Sequence, residues 1–356
     1  MSEIKVCHLT SAHPQEDIRI FHKECVSLAN AGYETYQISC GDTYDKFGVH
    51  LIGVGEQEKK RRDRMLKSSK RVYKAAVELN ADVYHFHDPE LLRYGLKLKK
   101  AGKKVIFDSH EDVAAQIVDK KWIPKPFRKL VSAFYKSYET RIVKRLDAVV
   151  AATPHIAETF KGRCRKAVVV NNYPKLDDIV FQEKPFSERE MVIAYAGGID
   201  EIRGEKVMIE AMKDADAQLI VAGNHEVKEA GGVKFIGKIS RKEVNELYGR
   251  ARAGIVIYQP AANHIESQPI KMFEFMAAGL PVVASDFPLW KGIVEGNQCG
   301  ISVDPRDPEA VRSACMELLN DPERGQELGR NGKKAVDAKY NWNNEERQLL
   351  ELYSQL

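Results

Sequence analysis

Several features that would assign this sequence to a common class are missing from it. No apolar run reaches the roughly 18 residues that a membrane-spanning helix needs. The opening residues, MSEIKVCHLTS, lack a signal-peptide pattern and instead predict a strand. There is no C-x-x-C pair and no zinc-type spacing among the six cysteines, which lie at positions 7, 25, 40, 164, 299 and 315. These absences predict a cytoplasmic protein whose cysteines are reduced and mostly buried.

Two nucleotide-binding signatures are missing as well. The sequence contains neither G-x-G-x-x-G nor G-x-x-x-x-G-K, which disfavours dinucleotide oxidoreductases and P-loop NTPases. It shows no internal repeat and no low-complexity tract. What remains is a 356-residue chain of ordinary globular composition, 44% hydrophobic and 30% charged, with enough residues for two cores.

Charge is distributed unevenly along the chain. Residues 1–185 carry 34 Lys and Arg against 24 Asp and Glu, whereas residues 186–356 carry 21 against 27. The net charge is therefore +10 in the first half and −6 in the second, although the whole chain has only +4. The first half is predicted either to meet an anionic partner or to present a solvated basic surface.

Apolar strand patterns alternate with amphipathic helix patterns throughout the chain. The alternation starts with IKVCHLTS, DIRIFHKECVSLANAG and YETYQISCG, and it restarts at MVIAYAGGI after a polar, proline-containing stretch, KLDDIVFQEKPFSERE. Such alternation predicts parallel sheets covered by helices on both faces. We therefore expect an α/β protein with two Rossmann-like, doubly wound domains that face each other across a cleft. The predicted domains are residues 1–184 and 185–341, followed by a terminal helix over residues 342–356.

One strongly apolar segment, HIESQPIKMFEFMAAGLPVVASDF at 264–287, carries charges inside its predicted helix. Lys271 and Glu274 share one stripe of that helix, and a buried glutamate is costly unless it is paired. Either the two form an ion pair on a half-exposed helix, or Glu274 holds a diol such as the hydroxyls of a ribose. In the second interpretation the backbone amides near Ile270 and Lys271 face a phosphate. Glu266, in the loop before the helix, would then reach a sugar bound beside it.

The E-x7-E spacing followed by AAGLPVVASD resembles the retaining glycosyltransferases of family 4, which have the GT-B fold. Other segments agree in order along essentially the whole chain. VIAYAGGIDEIRGEKVMIEAM is similar to the family's glycine turn that leads to basic residues, and VKFIGKISRKEVNELYGRARAGIVIYQP is similar to its stretch lining the nucleotide base. KKVIFDSHED resembles the strand whose end carries a histidine near the donor sugar, and YNWNNEERQLLELYSQL resembles the terminal helix that returns to the first domain.

The resemblance implies transfer of a sugar from a nucleoside diphosphate with retained configuration. It also implies that no metal and no cofactor is needed, since Arg203, a lysine and helix-end amides stabilise the departing diphosphate. The leaving phosphate itself is expected to take the acceptor's proton. Catalytic roles fall to Glu266, His110 and Arg203. Donor binding falls to Glu274, Lys271, Ile270, Gly197, Gly198, Lys206, Gly237 and Lys238.

The sequence departs from the family pattern in two places. Many members have a glycine-rich loop after the first strand, but SAHPQEDIRIFHKE stands there without a glycine. Many also carry an arginine and then a lysine after the first strand of the second domain. Here Gly198 takes the arginine position and Arg203 the lysine position.

The acceptor side of the protein is predicted to include five residues: His13, Asp17, Arg19, His87 and Asp88. Asp17 and Arg19 either position an acceptor loop or pair with each other. In the segment HFHD, His85 and His87 lie on one strand face with Asp88 adjacent. That arrangement is either a metal site or a strand end whose polar groups are satisfied by protein partners.

Two basic segments interleave cationic and apolar residues, KKRRDRMLKSSKRVYK at 59–74 and the stretch at 120–145. They are interpreted as surfaces for an anionic membrane, with a solvated helix face as the alternative and nucleic acid as a third. The combined prediction is a cytoplasmic enzyme, peripheral at the inner face of the cell membrane. It transfers a sugar, UDP-linked in our prediction, to a lipid-linked or nascent cell-surface saccharide. The alternatives are a non-catalytic GT-B subunit that supports a partner enzyme and a nucleotide-sugar epimerase of the same fold.

Overall fold

The computed structural model describes residues 4–120, 122–181 and 184–356. Residue 121 of the second basic segment and residues 182–183 of the linker stretch therefore lie outside the described residues. The chain forms two compact units. The first contains Met1–Asn172 and Asn343–Leu356, and the second contains Tyr173–Trp342. The described part of the linker stretch belongs to the second unit, where Ile179 and Phe186 are buried in its core.

The first unit contains an eight-stranded sheet in the order β3-β4-β2-β1-β5-β6-β7-β8. Every pairing is parallel except that of β3 with β4. Its strands are β1 (Lys5–Leu9), β2 (Glu34–Ser39), β3 (Tyr44–Lys46), β4 (Val49–Gly53), β5 (Val83–Phe86), β6 (Lys104–Ser109), β7 (Ala148–Ala151) and β8 (Ala167–Val169).

Helices connect these strands and cover the sheet. They are α1 (Val26–Asn30), α2 (Arg61–Asp63), α3 (Ser69–Leu79), α4 (Leu92–Lys100), α5 (Val113–Asp119), α6 (Lys125–Val143) and α7 (Pro154–Thr159). The helix predicted after β1 begins as a π-helix, Ile20–Cys25, before it continues as α1. The wider turn of a π-helix is often found at functional sites, and here both Lys23 and Glu24 are buried.

The second unit contains a seven-stranded sheet in the order β11-β12-β10-β9-β13-β14-β15, parallel except for β11 with β12. Its strands are β9 (Val192–Ala196), β10 (Gln218–Ala222), β11 (Lys228–Ala230), β12 (Val233–Gly237), β13 (Ala253–Val256), β14 (Val282–Ser285) and β15 (Gly300–Val303). Its helices are α8 (Glu205–Met212), α9 (Arg241–Arg250), α10 (Ala262–Ile265), α11 (Ile270–Ala277), α12 (Pro288–Val294), α13 (Pro308–Asn320) and α14 (Pro322–Ala338). The chain ends with α15 (Trp342–Ser354).

Each sheet reverses its strand order once, between β1 and β5 in the first unit and between β9 and β13 in the second. In open parallel sheets, ligands bind outside the carboxyl ends of the strands at such a reversal. The helix α11 packs directly on this part of the second sheet, since a Cβ at Gly254 of β13 would lie 2.3 Å from the ring of Phe275. A glycine is therefore required for that close approach.

The alternation of strands and helices predicted from the sequence is confirmed, as is the Rossmann-like character of both sheets. Ser240 and Glu243 form a capping box at the start of α9. The helix α11 follows Pro269 and ends before Gly279, which has a φ of +75°. Within the described residues, no helix is long and apolar enough to cross a membrane.

Candidate functional site

A buried lysine lies at the carboxyl end of β9. The Nζ of Lys271 is 3.7 Å from the ring centroid of Tyr195, and Lys271 is only 6% exposed. Gly197 follows β9 with a φ of +125°, and a Cβ there would lie 3.1 Å from the same Nζ. Burial, together with the positive charge of Arg203, lowers the pKa of Lys271 to about 7. The site therefore contains a cation that lacks a carboxylate partner in the described part of the chain.

Glu274 lies one turn further along α11 and pairs with α9. Arg241 donates to its Oε1 at 2.8 Å, and the hydroxyl of Tyr248 donates to its Oε2 at 3.3 Å. The ion pair considered between Glu274 and Lys271 is not formed by these described residues. A carboxylate has about four acceptor positions, so Glu274 keeps acceptor capacity beyond these two hydrogen bonds.

Glu266 lies in the loop between α10 and α11. The loop is held by Trp290, whose indole Nε1 donates to the carbonyl oxygen of Ser267 at 2.6 Å. Glu266 is half-buried, and within the described residues its carboxylate has no hydrogen-bond or ion-pair partner. It is therefore available to a ligand.

Three other residues predicted to bind the donor, Arg203, Lys206 and Gly198, are more exposed than Lys271 and Glu274. Arg203 binds Asp200 at 2.5 Å, with 41% of its side chain exposed, and its charge acts on Lys271. Lys206 pairs with Glu201 on the exposed surface, and no contact among the described residues joins it to Lys271 or Glu274. A Cβ at Gly198 would meet nothing within 4 Å, so the position that carries arginine in many family members is open.

Three further donor-side residues occupy the ends of elements. Gly237 is the last residue of β12, with a φ of +76°, and Lys238 is the exposed residue after it. Ile270 is the first residue of α11 and is half-buried. Because the first backbone amides of a helix have no partners within it, the residues at this end of α11 are suited to an anion.

In the first unit, a buried ion pair anchors the segment after β1. Arg19 binds Asp108 through two hydrogen bonds, Nε to Oδ2 at 2.9 Å and a terminal nitrogen to Oδ1 at 3.0 Å. Asp17 instead accepts from the backbone amides of Arg19 and Ile20, at 2.8 and 3.0 Å. The side chains of Asp17 and Arg19 therefore do not pair with each other, because Asp108 binds the Arg19 guanidinium. Burial opposes ionisation of Asp108, but Arg19 and neighbouring histidines hold its pKa well below the ordinary value.

Histidines meet at the ends of β1, β5 and β6. His110 Nε2 is 3.0 Å from Asp108 Oδ2 and 3.3 Å from His87 Nδ1. His13 Nδ1 is 3.1 Å from Asp88 Oδ1, and the His13 and His110 rings are 5.1 Å apart. Four of the predicted residues, His13, His87, Asp88 and His110, thus lie together at the strand-order reversal of the first unit.

Behind them lies a fully buried group that we call the histidine cluster: His8, Glu24, His85 and His87. The hydroxyl of Tyr353, in α15, is 2.9 Å from His85 Nδ1 and 3.2 Å from His8 Nε2. Two members of this group, His8 and Glu24, were not predicted from the sequence, and neither was Asp108 beside them. Asp108 lies two residues before His110 in VIFDSH, which was the available signal. The sequence contains no comparable signal for Glu24, because a single glutamate is common in an amphipathic helix and does not indicate a buried site.

A cavity of about 640 Å³ opens beside these histidines in the first unit. His13, His87 and His110 line it together with cationic and aromatic side chains, among them Arg64 and Trp122. A cavity of this size with both apolar and charged walls is suited to an amphipathic ligand.

Comparison with known proteins identifies the family. The family model described as Glycosyltransferase Family 4 matches residues 21–172, and the model described as Glycosyl transferases group 1 matches residues 176–335. Together the two matches cover almost the whole chain. The chain belongs to the family 4 glycosyltransferases. The resemblance inferred from the E-x7-E segment is thereby confirmed.

Individual relatives of this glycosyltransferase are distant. A D-inositol 3-phosphate glycosyltransferase from Corynebacterium urealyticum is 26% identical over 185 residues, which are 46% of this chain and 43% of the relative. The match thus spans less than half of that relative's length. Among solved structures, a sucrose-phosphate synthase from Thermosynechococcus elongatus has a TM-score of 0.79 at 18% identity and covers 99% of both chains. Anabaena HepE, solved with UDP-glucose, has a TM-score of 0.75 at 12% identity and covers 99% of this chain and 100% of its own. These neighbours confirm the GT-B fold.

Proposed function

We propose that this glycosyltransferase transfers a sugar from a UDP-linked donor, with retention of configuration, to a lipid-linked or nascent cell-surface saccharide. The observation that carries the proposal is the pair of charges on α11. Glu274 is buried but keeps acceptor capacity, and Lys271 lies one turn earlier without a carboxylate partner among the described residues. A ribose diol and a diphosphate are complementary to this pair.

In the proposed donor complex, Glu274 accepts hydrogen bonds from the ribose hydroxyls. Lys271, Arg203 and the first amides of α11 stabilise the negative charge that develops on the departing diphosphate. In this proposal the cationic side chains stabilise the diphosphate charge that a bound metal ion stabilises in other transferases, so no metal ion is needed. Glu266 and His110 are assigned to the donor sugar, and the leaving phosphate takes the acceptor's proton.

Calorimetric binding of UDP, GDP and ADP in the presence of EDTA tests the donor site. We expect selective binding of UDP, weakened about 10- to 100-fold by Glu274→Gln, because a hydrogen bond to a charged group is worth about 1.5–3 kcal/mol. Glu295→Gln is the matched control, since Glu295 pairs with Lys291 on an exposed surface of the same unit. Binding of none of the three nucleotides would contradict the proposal and favour the non-catalytic alternative.

Turnover separates the enzymatic alternatives. With a UDP-sugar that binds, we expect product only when an acceptor is present, and we expect Glu266→Ala to abolish it. Conversion of the UDP-sugar to an epimer without any acceptor would instead identify an epimerase. Undiminished transfer by Glu266→Ala would remove Glu266 from the proposed site.

The cavity of the first unit is the proposed acceptor site. Its basic residues, such as Arg61 and Arg64, suit a phosphate, and its apolar residues, such as Met65, Leu66 and Trp122, suit a lipid or a sugar face. The similarity to a D-inositol 3-phosphate glycosyltransferase agrees with an acceptor that carries phosphate. The acceptor-side assignment of His13, Asp88 and their neighbours follows from their position beside this cavity.

An anionic membrane is the proposed partner of α6. Phe127, Leu130 and Phe134, spaced for one helix face, are 57%, 68% and 75% exposed. Lysine and arginine side chains follow the same helix, so that apolar and cationic groups are presented together. We expect the protein to sediment with anionic liposomes at low salt and to be released at high salt, because screening weakens the cationic contribution.

The double substitution L130S/F134S tests that contact, with Val227→Ser as control because Val227 is an equally exposed apolar residue of the second unit. We expect the double variant to lose liposome binding and the control to keep it. No sedimentation of the wild-type protein at low salt would contradict membrane association without affecting the donor-site proposal.

A further inference from the structure

The segment after β1 stands where many members of the family have a glycine-rich loop. It is folded around Asp88, which follows the neighbouring strand β5 and is only 1% exposed. The hydroxyl of Thr10 and the backbone amides of Ser11 and Ala12 donate to Asp88 Oδ2, at 2.9, 2.5 and 3.1 Å. Burial opposes the charge of Asp88, but His13 and these donors lower its pKa to about 2. The loop is therefore organised by a permanently ionised carboxylate.

The same loop presents His13 to the cavity of the first unit. The Nδ1 of His13 lies 3.1 Å from Asp88 Oδ1 and 3.1 Å from the hydroxyl of Thr10, and its backbone amide also donates to that hydroxyl. Its side chain is 29% exposed, and among the described residues its Nε2 has no hydrogen-bond partner. Because Nδ1 is held on the protein side, Nε2 is the ring nitrogen that is open to a ligand in the cavity.

The surroundings of His13 favour its charged form. Burial opposes that charge, but the hydrogen bond and the charge of Asp88, with two further carboxylates nearby, raise the pKa of His13 above its ordinary value. In the imidazolium both ring nitrogens are donors, so Nε2 offers the cavity a charged N–H group. Hydrogen bonds from charged donors to anions are stronger than those between neutral groups.

The other charges around this cavity leave an excess of positive charge. Two of the lining carboxylates are already paired, Asp88 with His13 and Glu90 with Arg64, each at 3.1 Å. A third, Glu111, has no cationic partner in the described part of the chain and accepts a hydrogen bond from Gln116. Three further cationic side chains line the cavity: Arg61, Arg93 and Lys120. Such an excess around a charged donor favours an anionic ligand over a neutral one.

We propose that His13 binds an anionic group of the acceptor, a phosphate or a carboxylate, through its Nε2. The inference rests on the proposed function, in which this cavity is the acceptor site, and it makes His13 the residue that selects a charged acceptor. Backbone amides of a glycine-rich loop offer a ligand neutral donors, whereas this loop offers a cation fixed by Asp88. A neutral saccharide would leave the charged donor unmatched, and the loop therefore selects against it.

Nuclear magnetic resonance of the histidine rings tests this contact in the full-length protein, without nucleotide or turnover. The probes are inorganic phosphate, glucuronate and glucose, with ionic strength kept constant by sodium chloride. We expect phosphate or glucuronate to shift the His13 signals saturably, the tighter of the two identifying the anionic group, and glucose to leave them unchanged. His50 is the internal control, because its Nδ1 also lies beside a carboxylate, 2.7 Å from Asp45, on the exposed surface of the same unit. No shift of His13 with either anion, an equal shift of His50, or an equal shift with glucose would overturn the proposal.

Two substitutions separate the charge of His13 from its shape, with the ring signals of His110, whose centroid is 5.1 Å away, as the readout. We expect His13→Gln to weaken anion binding about tenfold or more, as for the loss of a hydrogen bond to a charged group. His13→Lys keeps a cation and should retain more affinity, and His50→Gln should change nothing. Equal affinity in the wild type and His13→Gln, or equal losses in His13→Gln and His13→Lys, would overturn the proposal. Because no nucleotide is present, a failure here leaves the donor-site proposal intact, and a failure of UDP binding leaves this test valid.

Discussion

Two buried glutamates show how differently the two units use charge. In the second unit, Glu274 has Arg241 as a permanent partner, and 41% of the Arg241 side chain is exposed. In the first unit, Glu24 lies among histidines and forms an ion pair with Arg19 at 3.1 Å, and Arg19 also binds Asp108, so that all three charged side chains are buried together. The charges of the second unit are thus arranged so that a ligand can reach them. The charges of the first unit are arranged mainly toward one another, so their removal should affect folding before it affects binding.

The largest effect is expected from Arg19→Met. The substitution leaves Asp108 buried without its main counter-charge, and breaking such a pair from one side costs about 3–5 kcal/mol. Urea unfolding followed by circular dichroism measures the loss as a lower midpoint of the transition that reports the first unit.

The matched control for Arg19→Met is Arg250→Met. Arg250 also binds a carboxylate twice, Glu190 at 2.7 and 2.8 Å, but both side chains are about half exposed. Loss of this pair should lower the free energy of unfolding by about 1 kcal/mol or less, because water solvates the remaining carboxylate of Glu190. Similar losses in the two variants would contradict the view that the first unit depends on its internal charges.

The contrast between the charges of the two units also explains which site residues could be predicted from the sequence. Glu274 and Lys271 were recognisable because they interrupt an apolar helix, where a charge is conspicuous. Arg241, the partner of Glu274, was not recognisable, since nothing in the segment SRKE at 240–243 indicates that its second residue points toward another helix. The histidine cluster is assembled from β1, the π-helix and β5, and only the segment HFHD showed part of it.

The fold was more predictable than the site. Buried parallel strands such as β7 and β14 are apolar on both faces, so composition alone marks them. The π-helix was not predictable, because its i→i+5 hydrogen bonds leave no distinct hydrophobic period in six residues. The short antiparallel strands β3 and β11 were missed for a related reason, since three-residue strands carry too little pattern.

A second, intermediate effect concerns Lys271. Its folded-state pKa of about 7 lies below the ordinary lysine value of 10.5, so between those pH values the folded protein binds fewer protons than the unfolded chain. The free energy of unfolding of the unliganded protein should therefore rise with pH across this window. Lys271→Met should stabilise the unliganded protein near neutral pH, on the order of 1–3 kcal/mol, while weakening nucleotide binding.

Proton uptake gives a direct test of the same residue. A bound diphosphate favours the charged lysine, so about one unit above the folded pKa, binding should take up close to one proton, and affinity should fall as pH rises. Calorimetry in two buffers of different ionisation enthalpy measures the uptake. Lys271→Arg should bind without it, because arginine stays protonated. Wild-type binding without proton uptake would show that Lys271 does not meet the diphosphate.

The smallest effect, and the sharpest for the second unit, is expected from Ser240→Ala. Ser240 caps α9, and the residue after it is Arg241, the partner of Glu274. Loss of the cap should cost about 1 kcal/mol and should also lower nucleotide affinity, by less than Glu274→Gln does. Asp307→Ala is the control, since Asp307 caps α13 in the same unit through the amides of Glu309 and Ala310. If both variants lose stability but neither loses affinity, Arg241 holds Glu274 without help from the cap. A loss of affinity confined to Ser240→Ala would show that the start of α9 positions Glu274, the carboxylate proposed to bind the ribose.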